Sequence, residues 1–291
     1  MVDFVEVSPR DGLQNEPRSL PVDTKVALIN RAIGAGARRI EVASFVRPDA
    51  VPQMADAEAV IERLTPDAAR YIGLVLNKRG ALRALDTRVD EIGFVCVASD
   101  TFGSRNQGQT SAETLATAVD VLELSYRERR DAQAMIAVAW GCPFEGPTPQ
   151  DRVIEMAKAL AEAGSLEIGI ADTIGIARPC EVEALTSRVV EAVAPLPVRV
   201  HLHDTRGMGV ANALAAIRGG AKVIDAAIGG TGGCPFAPGA AGNLASEDIT
   251  FALGAELGLD LDRLIETANW LNAELGRDRE SAMMRSSNSG C

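Results

Sequence analysis

The run Val198-Arg199-Val200-His201-Leu202-His203-Asp204 holds both histidines of the 291-residue chain. Its apolar, β-branched alternation reads as a strand. Side chains two apart on a strand share a face, so His201 and His203 point the same way. The strand leaves through the polar Asp204-Thr205-Arg206-Gly207, and an amphipathic stretch, Val210–Arg218, follows. Strand, turn and helix in that order form the repeating unit of a parallel sheet.

The unit recurs in both directions from this point. Strand-like runs at Phe4–Ser8, Arg39–Phe45, Tyr71–Asn77, Glu91–Ser99, Met135–Gly141, Leu166–Asp172 and Val223–Gly229 bring the total to eight. Helical patterns at Thr24–Ala35, Ala55–Leu64, Ser111–Arg130, Pro149–Ala163, Arg178–Ala194 and Val210–Arg218 lie between them. Eight units without an internal linker predict an α/β fold, a closed (β/α)8 TIM barrel over about residues 3–230, within one domain spanning 1–291. An open doubly wound sheet is the competing arrangement. A Gly-rich loop (about 229–243), a C-terminal helical extension (about 246–280) and a flexible tail (about 286–291) complete the expected organisation.

Composition narrows the class of molecule. A hydrophobic content of 47% with 24% charged residues is that of a globular domain with ample core, built here on Ala, Val, Leu and Ile because aromatics are only 4%. A net charge of −11 argues against nucleic acid or an anionic membrane surface as partner. No apolar run reaches membrane-spanning length, and the N-terminus does not read as a targeting peptide. Cys96, Cys142, Cys180, Cys234 and Cys291 are odd in number and scattered, which suits free thiols in the cytoplasm.

Barrel chemistry sits at the C-terminal ends of the strands. The exits therefore define a candidate site: Arg10 and Asp11 after the first strand, Glu41 on the second, Cys142 to Gly146 after the fifth, Asp172 after the sixth and the two histidines on the seventh. Closure makes the eighth strand a neighbour of both the first and the seventh. Asp11, His201, His203 and a ligand from the last loop can then converge on one ion. Two imidazoles and a carboxylate leave open positions in an octahedral shell, which suits Mg²⁺ or Mn²⁺ as a Lewis acid better than a closed zinc site. The alternatives are a pair of core histidines, and an Asp11 that serves as a turn residue before Gly12.

Six glycines fall between Gly229 and Gly242. The stretch lacks nucleotide-loop spacing, and no Lys-Ser/Thr follows it. It reads either as a plain connector or as a mobile lid that carries Cys234, a thiol able to move a proton. Cys96, Cys142 and Cys180 read as packing residues.

Several motifs in order carry a resemblance. Val5-Glu6-Val7-Ser8-Pro9-Arg10-Asp11-Gly12-Leu13-Gln14-Asn15-Glu16 resembles the opening motif of the 3-hydroxy-3-methylglutaryl-CoA lyases. Glu41-Val42-Ala43-Ser44-Phe45-Val46, Gly141-Cys142-Pro143-Phe144-Glu145-Gly146, Asp172-Thr173-Ile174-Gly175 and His201-Leu202-His203-Asp204 are similar to later segments of that family. Gly232–Asp248 resembles its cysteine signature loop. The resemblance implies a divalent metal on Asp11, His201, His203 and Asn243. It implies that Arg10 stabilises enolate charge, Glu41 orients Arg10, Cys234 acts in acid/base chemistry and Asp172 contributes a further polar group. It also implies retro-Claisen cleavage of 3-hydroxy-3-methylglutaryl-CoA, or of a related thioester such as citramalyl-CoA. The expected partner is thus an acyl-CoA thioester, and the expected assembly a homo-oligomer, dimer or higher. A metal-binding barrel without turnover is the remaining alternative.

Three departures bear on which acyl group is accepted. Pro17 stands where the family often has a lysine, so one basic contact to the CoA portion is lost or moved to Arg18. Thr231 replaces a leucine, and Asn106-Gln107-Gly108-Gln109 differs from the family's usual run.

Overall fold

The computed structural model describes residues 2–233 and 242–289. Eight parallel strands close into a barrel: β1 (Asp3–Glu6), β2 (Arg39–Ser44), β3 (Arg70–Val75), β4 (Glu91–Val97), β5 (Asp131–Ala137), β6 (Ile168–Asp172), β7 (Val198–Leu202) and β8 (Val223–Ala226). β8 pairs β1 from Asp3 opposite Val223 to Glu6 opposite Ala226, which closes the ring. The open-sheet alternative is thereby excluded.

Helices α1 (Val22–Gly34), α2 (Ala57–Glu62), α3 (Lys78–Leu85), α4 (Asp100–Gln107), α5 (Ser111–Arg127), α6 (Gln150–Glu162), α7 (Pro179–Val193) and α8 (Gly209–Arg218) surround it. Local chemistry sets several of their starts. Thr110 and Glu113 form a reciprocal capping box at α5, and the Asn77 side chain accepts from Gly80 N at α3. The helices bury one face each, with Leu28, Leu122, Leu160 and Leu185 at 2% exposure or less.

Helices α3 and α4 have no counterpart in the sequence reading, the first and last strands are shorter than read, and two further regions differ for identifiable reasons. The fifth strand runs Asp131–Ala137 rather than Met135–Gly141. The polar Asp131 and Gln133 hide its start. It ends because Val138 adopts φ 54°, with its N–H donated to Thr173 Oγ1 and its carbonyl accepting from Thr148 Oγ1. Gly141–Cys142 then pairs with Gly146–Pro147 in a small antiparallel hairpin. At the C-terminus, α9 (Ser246–Leu253) and α10 (Leu261–Leu275) form the expected extension. The tail does not unravel at Ser286, because α11 runs Ala282–Ser289. Asp248 accepts from Ala282 N and Met283 N, and Met284 is fully buried, so both a cap and an apolar anchor hold this helix.

The barrel interior departs from a wholly apolar filling. Val5, Val7, Ile72, Val223 and Ala227 form a small inner cluster. Buried charges share the interior with it, among them Glu41, Glu91, Glu167, Arg199 and Asp225, and they lead upward to the strand exits.

Candidate metal centre and active site

The first strand leaves through a π-helical turn, Ser8–Gly12, in which Asp11 N and Gly12 N both donate to Val7 O. Such widened turns recur at functional sites because they redirect consecutive side chains. Here the turn brings Arg10 and Asp11 together over the barrel mouth. Gly12 must be glycine: a Cβ there would lie 2.3 Å from Thr231 Oγ1. On β7, His201 points inward, and His203 follows just past the strand end on the same face. Their ring centroids are 5.0 Å apart. After the Gly-rich loop the chain returns beside β7, where Asp204 N donates to Gly242 O and Leu244 N to Leu202 O. This return sets Asn243 opposite His203.

Asp11, His201 and His203 each present one ligand atom, and these atoms lie within 4.8 Å of one another. Asn243 Nδ2 donates to Asp11 Oδ2 at 2.7 Å and to Thr231 O at 2.9 Å. Its Oδ1 is buried with no hydrogen-bond partner among the described residues. A buried acceptor left unpaired is costly, and a cation held by this set would satisfy it. The four residues thus fit a divalent ion, with hard oxygen donors beside two imidazoles.

The electrostatics of the four residues differ from one to the next. Burial opposes ionisation of Asp11, yet Arg10 and the two imidazoles hold its carboxyl well below the usual carboxylate range. Burial and the neighbouring His201 lower His203 to about 4, which leaves a neutral imidazole suited to ligation. Burial also opposes charge on His201, but the hydrogen bond to Asp225 and the charge of Asp11 together outweigh it and raise its pKa. His201 Nδ1 lies 3.1 Å from Asp225 Oδ2, and His203 Nδ1 lies 3.1 Å from Asp172 O. Each ring therefore has its Nδ1 engaged, and His201 turns its Nε2 toward Asp11, 3.8 Å from Oδ2.

Arg10 is 9% exposed. Its Nε donates to Glu41 Oε1, and its Nη1 donates to Asp11 Oδ1 at 2.6 Å. A register shift between Glu41 and Ala43 on β2 marks a bulge, a common device for re-aiming a side chain. Beside this group a cavity of about 130 Å³ opens, walled by Leu74, Val95, Val97 and Met135 and reached by Asn106 and Gln107.

Sequence and structure do not agree everywhere. The Asp172 carboxylate accepts from Ile176 N and Ala177 N, both at 3.0 Å, so it shapes the β6–α7 loop and reaches the cluster through its backbone oxygen on His203. Cys234 and the loop around it lie outside the described residues. Cys96 and Cys142 are buried, and Cys180 is exposed near the start of α7. Two residues went unremarked in the sequence: Arg199, 1% exposed, and Asp225, 1% exposed. The available signal is a charged residue inside a strand flanked by apolar residues, a placement that requires a partner.

Known proteins resemble this chain over nearly its full length. The HMGL-like family model matches residues 1–271. The (R)-citramalyl-CoA lyase of Chloroflexus aurantiacus is 42% identical over 293 aligned positions, covering 95% of this chain and 92% of that one. The hydroxymethylglutaryl-CoA lyase YngG of Bacillus subtilis is 34% identical, covering 95% and 94%. Among solved structures, an HMG-CoA lyase from Acinetobacter baumannii in complex with coenzyme A and 3-methylmalate superposes with a TM-score of 0.93 at 39% identity, covering 98% of this chain and 95% of that one. Likeness of this extent, over nearly the full length of each relative, is kinship: the chain belongs to the HMGL-like family, the family of the hydroxymethylglutaryl-CoA lyases.

Proposed function

We propose that the protein is a carbon–carbon lyase that cleaves 3-hydroxy-3-methylglutaryl-CoA to acetyl-CoA and acetoacetate by a metal-dependent retro-Claisen reaction. The observation that carries this reading is the convergence of Asp11, His201 and His203 beside Arg10 at the barrel mouth. Asp11, His201, His203 and Asn243 would hold a divalent cation, Mg²⁺ or Mn²⁺, which would supply the Lewis acidity that eases deprotonation of the substrate's tertiary hydroxyl.

The chain's own residues account for the rest. Loss of the hydroxyl proton lets the C2–C3 bond break; the bonding pair stays with C2, and acetyl-CoA departs as its enolate. The Arg10 guanidinium, held on two sides by Glu41 and Asp11, stands fixed before charge develops, which is the condition for strong transition-state stabilisation. A proton then passes to C2, and by family resemblance Cys234 is its donor or positions the water that gives it. The Asp172 carbonyl keeps the His203 ring in place.

A second substrate is favoured by one observation, the 42% identity to a citramalyl-CoA lyase. The same bond cleavage applied to citramalyl-CoA releases acetyl-CoA and pyruvate. Cleavage rates on a panel of both thioesters and longer branched 3-hydroxyglutaryl analogues decide between them. The proposal predicts the highest kcat/KM on 3-hydroxy-3-methylglutaryl-CoA. Faster release of pyruvate from citramalyl-CoA would reassign the substrate, and no turnover on any thioester would end the lyase reading.

A further inference from the structure

Below the metal centre a chain of buried charges fills the barrel. Arg39 meets Glu91 and Glu167, Arg199 meets Glu167 and Asp225 and faces Glu41, and Glu41 meets Arg10. Barrels of this type fill their centre with branched apolar residues, and a buried ion pair is often replaceable by apolar side chains at no loss of stability. The position of Arg199 in this chain calls for a reason other than stability.

Its geometry supplies one. Arg199 Nε donates to Asp225 Oδ1 at 2.5 Å, and the other oxygen of that carboxylate, Oδ2, lies 3.1 Å from His201 Nδ1. Arg199 Nη2 lies 3.8 Å from Glu41 Oε2, and the other oxygen of that carboxylate, Oε1, accepts from Arg10 Nε. One guanidinium therefore stands behind two carboxylates. Each carries a different part of the site on its far side: one a metal-ligating imidazole, the other the arginine of the enolate site. A planar fork can address both at once, whereas an ammonium is a single point.

We infer that Arg199 is a positioning residue that sets His201 and Arg10 in register with each other, through Asp225 and Glu41. This rests on the metal-dependent lyase reading above. Arg199 is thus a part of the ion's surroundings that lies beyond its ligands.

The test compares the wild-type protein with Arg199→Lys, Asp225→Asn and Glu41→Gln, by Mn²⁺ titration followed by electron paramagnetic resonance, and by kcat and KM at saturating Mn²⁺. Outer partners of metal ligands are worth roughly 10- to 100-fold in affinity or activity. Asp225→Asn should weaken Mn²⁺ binding by that order and regain most of its kcat once Mn²⁺ saturates. Glu41→Gln should keep the wild-type Mn²⁺ affinity and lose kcat. Arg199→Lys should show both losses at once, with KM little changed and a cooperative thermal transition retained. An Arg199→Lys protein with wild-type Mn²⁺ affinity and kcat, or one altered only in melting temperature, overturns the inference. Should that variant not fold, wild-type Mn²⁺ affinity in Asp225→Asn overturns it instead. A wild-type protein that binds no Mn²⁺ overturns the lyase reading as well, so the two failures are told apart.

Discussion

Asn243 donates its side-chain amide to Asp11 at 2.7 Å across a separation of 232 residues. The contact exists because β8 closes onto β1 and the chain then doubles back along β7. It joins the first strand exit to the last loop, and the Asn243 oxygen has no hydrogen-bond partner among the described residues. The candidate metal centre is thus a product of barrel closure, assembled from the first, seventh and eighth units.

Arg10 is the first point of attack. Arg10→Lys keeps a positive charge but cannot hold Glu41 and Asp11 together. An interaction made mainly in the transition state affects kcat far more than KM. Loss of one such donor costs on the order of 10²–10³ in rate. Steady-state kinetics should show that fall with KM little moved; a change confined to KM would make Arg10 a substrate-binding residue.

The thiols can be separated by labelling. Cys96 is fully buried, and burial pushes its thiol up to about 12, so it should resist iodoacetamide at neutral pH. Cys142 is also buried, whereas Cys180 is exposed and should be labelled without loss of activity. Inactivation should track Cys234 in peptide maps, be slowed by bound thioester, and be matched by low turnover in Cys234→Ser. Full turnover in that variant would remove the thiol from the mechanism.

Much of this is legible in the amino-acid sequence. The His-X-His period of two and the Asp11 exit each needed only local geometry, and eight repeats of one unit indicated closure. What stayed hidden was non-local. Asp172 looks like a site carboxylate in sequence, but its oxygens are taken by the amides of Ile176 and Ala177. Arg199 and Asp225 lie on different strands, so their meaning appears only when adjacent strands bring their side chains within 2.5 Å. The helix at the tail depends on Asp248, more than thirty positions earlier, which no local propensity records.

Glu247 gives a pH prediction. It is fully buried, its Oε2 accepts from Gly229 N at 3.1 Å, and burial raises its pKa from 4.5 to about 7. Between those values the folded state holds the proton more tightly than the unfolded chain, so this group's contribution to stability falls as pH rises from about 4.5 to about 7, then levels off. Glu247→Gln cannot ionise, and its stability relative to wild type should improve across that window in urea unfolding at successive pH values. Parallel pH profiles for the two proteins would mean that Glu247 ionises as freely when folded as when unfolded.

The central claim is that Asp11, His201, His203 and Asn243 hold the ion on which cleavage depends. The direct measurement is thioester cleavage by protein stripped with a chelator, its metal content verified by elemental analysis, before and after addition of one equivalent of Mn²⁺ or Mg²⁺. The stripped wild-type protein should be inactive and recover on metal addition. His203→Ala should bind the ion weakly and recover little, because it lacks one of only four ligands on an ion open to solvent. Full cleavage by protein verified to be metal-free would contradict the account.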